Sequence, residues 1–80
     1  MQKKKRMKRY GNHHGNSGIA AYEAGAKFIR IQFTSGSIYL YTYQSAGEDD
    51  IEAMKELAKE GEGLTRFIND FRPDYASRER

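Results

Sequence analysis

The chain has no cysteine and a single proline, Pro73. Without thiols it can form neither a disulfide framework nor a thiolate zinc site, which fits a reducing compartment. No apolar run approaches the roughly 18 residues of a membrane span. The basic first residues lead into no apolar stretch of the kind a secretory signal carries. These absences predict a soluble, cytoplasmic protein without a membrane partner. Catalytic signatures are missing too: the sequence contains no GxSxG elbow, no P-loop and no HExxH pair. Paired acids occur as Asp49-Asp50 and Glu60-x-Glu62, but both fall at expected helix ends, where capping and solvation account for them. The expectation is a protein that is not an enzyme, with no cofactor and no metal.

What is present is small and lean. Eighty residues make one small domain at most, and a hydrophobic fraction of 38% with a mean hydropathy of −0.92 leaves little to fill a core. The net charge of +3 is unevenly placed. Residues 1–9, MQKKKRMKR, hold six lysines and arginines and no acid, while the rest of the chain holds eight against eleven acids. A mildly acidic body thus carries a basic arm. Like charges in a block repel and few arm residues suit a core, so residues 1–16, including the Gly/Asn-rich GNHHGNSG, read as a disordered arm and linker. Residues 17–75 read as one domain and residues 76–80 as a polar tail. The arm is either a solvated terminus or an electrostatic contact for phosphates, in which Lys3, Lys4, Lys5, Arg6, Lys8 and Arg9 release counterions. His13 and His14 lie adjacent in a glycine loop with no Cys, Asp or Glu nearby, and read as exposed residues, not ligands.

In the body, SGIAAYEAGAKFIRIQFTSGSIYLYTY divides into three strands: roughly Gly18 to Glu23, Lys27 to Thr34, and Ile38 to Tyr43. Ser35-Gly36 suits a two-residue hairpin loop. With that hinge Phe33 faces Ile38, Ile31 faces Leu40 and Ile29 faces Thr42, which makes one aliphatic face. Gln32 then meets Tyr39, Arg30 meets Tyr41 and Phe28 meets Tyr43 on the other. Because a one-residue slip exchanges faces, the pattern predicts an aliphatic core and an open tyrosine face.

Two helices follow. In SAGEDDIEAMKELAKEG, Ser45 and Glu48 have capping-box spacing, and the acids of the first turn suit the positive end of the dipole. Ile51, Met54, Leu57 and Ala58 form an apolar stripe, and Gly61 is a natural stop. Leu64, Phe67, Ile68 and Phe71 form a second stripe that Pro73 ends. Tyr75 is a further candidate for packing. The fold class expected is α+β: a three-stranded antiparallel sheet followed by two helices packed on one face, β-β-β-α-α.

Gly36-Ser37-Ile38-Tyr39-Leu40-Tyr41 supplies a Tyr-x-Tyr after a glycine turn. Ser17-Gly18-Ile19-Ala20-Ala21-Tyr22 precedes it as an opening strand with Ser and Tyr, and Gly61 to Ile68 follows as a glycine turn and last helix. In this order of elements the chain resembles the KTSC domain, a small bacterial module found at the C-terminus of some lysyl-tRNA synthetases and also alone. Thr42 to Gly47 lacks the proline that follows Tyr-x-Tyr in that family. The resemblance implies a fold, implies RNA as a ligand through the tRNA synthetase setting, and brings no catalytic residue with it.

The tyrosine row also has a reading of its own. Tyr39, Tyr41 and Phe28, with Arg30 among them, suit a platform on which unpaired bases stack for about 1–3 kcal/mol each. The same residues in a hairpin also stabilise it without any ligand, through cross-strand pairs. The expectation is a small binding module for single-stranded RNA, in preference to DNA, with Tyr39, Tyr41, Arg30 and Phe28 on the bases and the arm on phosphates. The alternative is a protein-interaction module that uses the tyrosine face or an open strand edge.

Overall fold

The computed structural model describes residues 7–11 and 18–79, and the architecture is α+β. Five strands, β1 (Lys8–Arg9), β2 (Ile19–Ala24), β3 (Phe28–Phe33), β4 (Ile38–Thr42) and β5 (Ser77–Glu79), form one antiparallel sheet in the order β1-β2-β3-β4-β5. Between β4 and β5 the chain makes three helices, α1 (Tyr43–Ala46), α2 (Glu48–Glu60) and α3 (Leu64–Phe71).

The expected three strands are therefore the central ones of five. Lys8 and Arg9, read as part of a structureless arm, pair with Tyr22 and Ala21. Ser77–Glu79, read as a polar tail, pairs with Leu40, Tyr39 and Ile38. Both outer strands consist of exposed residues. Hydrophobic alternation cannot reveal them, because main-chain hydrogen bonds and not side-chain burial hold them in place.

The central hairpin runs one residue out of the expected register. Ile29 faces Tyr41, Ile31 faces Tyr39, and Arg30 faces Leu40. The cause is the loop. Gly36 N–H donates to Phe33 O at 2.8 Å, Phe33 N–H donates to Ser37 O at 2.9 Å, and Gly36 takes φ +101°. Thr34, Ser35 and Gly36 thus form a three-residue loop closed by a glycine at positive φ, not a two-residue turn. The aliphatic positions of β3 do face the core, but those of β4 do not. Tyr39 and Tyr41 turn inward, and Ile38, Leu40 and Thr42 take the opposite face.

The core lies between the sheet and the helices. Ile29, Ile31, Ile51, Met54 and Leu64 have no solvent exposure, and Ile19, Tyr10, Tyr22, Tyr41 and Ala58 are nearly as deep. Full burial of an aliphatic side chain of this size contributes about 1.5–3 kcal/mol. An irregularity between Ile19 and Ala21 in β2 lets both Ile19 and Tyr22 reach this core despite their odd spacing. The expected stripe of α2 is confirmed by Ile51, Met54 and Ala58. In α3 only Leu64 is fully buried, and Phe71, expected on the packed stripe, is 65% exposed beside Phe67.

Helix ends follow local chemistry. Gly61 closes α2 at φ 80° as anticipated. The capping box sits one short helix earlier than the spacing suggested. Thr42 Oγ1 accepts from Ser45 N–H and Ser45 Oγ accepts from Thr42 N–H, at 3.1 and 3.0 Å. Ser45 is thus committed to α1, and α2 starts from Gly47 without a side-chain cap.

Candidate binding cleft

An open cleft of about 640 Å³ lies where the C-terminal half of α3 stands away from the β3–β4 hairpin. Phe33, Tyr39 and Tyr41 form its floor, Ile68, Asn69 and Arg72 one wall, and Pro73, Asp74 and Tyr75 its lip. This size falls within the range of small-ligand sites.

Each aromatic ring is fixed by its neighbours. Tyr39 and Tyr41, two apart on β4 and so on the same face, lie nearly parallel with centroids 6.3 Å apart. Tyr75 stands at 90° to both, at 4.8 Å from Tyr39 and 6.4 Å from Tyr41. Phe33 meets Tyr39 edge-on at 5.2 Å. These offsets suit the ring quadrupoles. Tyr41 is only 3% exposed, whereas Tyr75 leaves 48% of its surface open. Burial, with smaller contributions from Tyr39 and Tyr75, pushes the Tyr41 phenol up to about 12.

Tyr75 owes its position to the backbone on either side of it. Ser45 Oγ donates to Asp74 O at 2.8 Å, and Ala76 N–H donates to Leu40 O at 2.6 Å. One bond ties the lip to α1 and the other starts the β4–β5 pairing. Arg72, the C-cap of α3, has φ 48° and is the sole non-glycine at positive φ among the described residues. The following Pro73 disfavours the helical conformation at Arg72, and a side chain in the left-handed region carries a cost.

The charges around the cleft are of both signs. The Arg78 guanidinium lies 5.7 Å from the Tyr39 ring centroid in a cation–π arrangement. Arg72 and Asp74 line the cleft and form no ion pair with each other or with any other described residue.

The structure divides the residues expected to act together. Tyr39 and Tyr41 are in the cleft. Arg30 and Phe28 belong to the opposite face, because the register places Arg30 beside Leu40. There Arg30 bridges Glu23 and Glu79, at 3.2 Å each, and is already neutralised. The Phe28 ring lies against Gly25. Lys8 and Arg9 are exposed on β1, three strands and so about 14 Å from β4. Lys3, Lys4, Lys5, Arg6, His13 and His14 lie outside the described residues. Tyr75, Arg72 and Arg78 were not expected in a site. Tyr75 carried only a packing signal, and an arginine beside the lone proline or in a charged tail carries none.

Among the described residues, no group of His, Cys, Asp or Glu is placed to hold a metal ion, and no helix is long and apolar enough to cross a membrane. No family model matches the chain, and no curated protein or solved structure matches it either.

Proposed function

We propose that the protein is a non-enzymatic binding module for single-stranded RNA, with the tyrosine cleft as its base-binding site. The carrying observation is Tyr75: a ring nearly half open to solvent, edge-on against Tyr39, on main chain held by hydrogen bonds on either side of it. A ring ordered before the ligand arrives loses little entropy when a base stacks on it. Arg72 brings positive charge to the cleft wall, and Arg78, over the Tyr39 ring, adds a second charge and a planar stacking surface. The exposed Lys8 and Arg9, and the basic residues before them, give a second, sequence-blind contact for a longer strand. The resemblance to the KTSC domain points the same way, and we propose a cytoplasmic module of that type.

A titration of the ¹⁵N-labelled protein with a short mixed-sequence RNA, at ~50 and ~200 mM salt, tests this reading. Shifts at Tyr39, Tyr75 and Arg78 that weaken with salt support it. Shifts confined to the residues before Tyr10 count against a base-binding cleft.

A second reading draws on the opposite sheet face. Phe28, Ile38 and Leu40 remain half-buried there, outside the core that the helices cover. Such a face suits a protein partner, and a contact there would be nearly insensitive to salt.

A further inference from the structure

Asp74 does not belong in a cleft built for phosphate alone. It lines the cleft beside Arg72, and its carboxylate makes no ion pair or hydrogen bond with any described residue. An ionised carboxylate repels a nucleic-acid backbone, so its presence works against RNA affinity unless the ligand brings donors to it.

The polar groups of the cleft describe such a ligand. Asp74 has two oxygens and can only accept. Arg72 has a fork of N–H groups and can only donate. Neither is paired with a described residue, and both line the cleft. A base that satisfies the pair presents two adjacent donors along one edge and two acceptors along another. Guanine does so. Its N1–H and N2 amino group lie side by side for a carboxylate, and its O6 and N7 accept an arginine fork. Adenine offers one amino donor between acceptors and suits an amide better. Cytosine has one amino donor followed by two acceptors. Uracil has a single N–H between two carbonyls. Neither pyrimidine engages both charged groups in a bidentate way.

The main chain that carries these two side chains is held on both residues. Arg72 is held by its own N–H to Ile68 O at 2.8 Å and by Pro73 after it. The carbonyl of Asp74 is held by Ser45. We infer that the cleft selects guanine in single-stranded RNA: Asp74 takes the N1–H and N2 amino donors, Arg72 takes O6 and N7, and the base stacks on Tyr75. This rests on the proposed role of the cleft in RNA binding and adds the identity of the base.

The test uses the full chain and fluorescence anisotropy at fixed salt. The probes are short oligouridine strands with one central G, A, C, U or inosine. Guanine is expected to bind roughly tenfold or more tightly than adenine, cytosine or uracil, the yield of about one good bidentate contact. Inosine, which lacks the N2 amino group, falls between. Asp74→Asn, a change at an exposed position, removes the preference. Equal affinities for all five strands overturn this inference and leave the RNA reading intact, as does a guanine preference that survives Asp74→Asn. Failure of every strand to bind at low salt overturns both.

Discussion

The Tyr10 hydroxyl accepts the backbone N–H of Leu64 at 3.2 Å, where both residues are almost wholly buried. Leu64 opens α3, and its N-cap, Gly63, has no side chain to offer. A donor that the helix start leaves over is therefore met by a tyrosine 54 positions upstream. Tyr10→Phe keeps the ring in the core and strands that N–H. The expected loss is about 1–3 kcal/mol, read from the midpoint of a urea unfolding curve. Unchanged stability would mean that water replaces the hydroxyl.

Gly36 sets the register of the hairpin. A Cβ there meets nothing within 4 Å, so the cost of Gly36→Ala comes from the backbone at φ +101° alone. The expected destabilisation is about 1–3 kcal/mol in the same measurement. A neutral result would show that the loop readily takes another turn.

Two phenols give the protein an alkaline limit. Tyr43 donates to Glu52 at 2.5 Å, and this bond is the main reason its pKa rises to about 12. Tyr41 reaches about 12 chiefly through burial. A phenol whose pKa rises on folding stabilises the native state fully below its ordinary value near 10, and that contribution fades as pH climbs to about 12. Glu52 behaves in the opposite sense. Its partners Tyr43 and Lys55 hold its carboxyl below the usual range, so its contribution is present above the ordinary carboxylate pKa and is lost as pH falls through the lower value. A phenolate absorbance titration should show a late component near pH 12, and Tyr43→Phe should shrink it. A single midpoint near 10 would contradict the Tyr43–Glu52 bond.

The division of Arg30 from the tyrosines predicts unequal effects on RNA affinity. Tyr75→Ala removes a stacking ring and should weaken binding roughly 5- to 150-fold, the equivalent of about 1–3 kcal/mol. Arg30→Ala should change it little, because its guanidinium already serves Glu23 and Glu79 on the far face. Similar losses in the two variants, measured by anisotropy, would place the ligand elsewhere.

Met54 has no solvent exposure at the centre of the helix–sheet interface. Met54→Ala should cost about 2–5 kcal/mol, with thermal unfolding as the check. A smaller loss would show that α2 settles into the gap.

Helical periodicity in the sequence revealed α2 and α3 and the buried residues Ile51, Met54, Ala58 and Leu64, because a helix shows its buried side at a spacing that strands do not share. The β3 face was equally plain in Ile29 and Ile31. On β4 the alternation of Ile38 to Tyr43 was plain but its direction was not. Either parity offers at least two large side chains, and a single loop residue decides between them. The inward parity places Tyr39 and Tyr41 where they can meet Tyr75, a residue more than thirty positions away. That meeting depends on the β4–β5 pairing, which leaves no trace in hydrophobic pattern, and so the cleft was hidden while two residues of its floor were in view.

The two thin outer strands have a practical consequence. The segment that hydrophobicity alone marks out, residues 17–75, leaves out both outer strands of the sheet. Cutting there removes Lys8–Arg9 and Ser77–Glu79 and bares the main-chain edges of β2 and β4 together. It also removes the Tyr10 ring from the core and the Ala76 anchor of the lip. β4, with the run Ile-Tyr-Leu-Tyr-Thr, would then be an uncharged template for strands of other molecules. A few polar residues at each end are thus expected to guard against aggregation, although they bury almost nothing themselves.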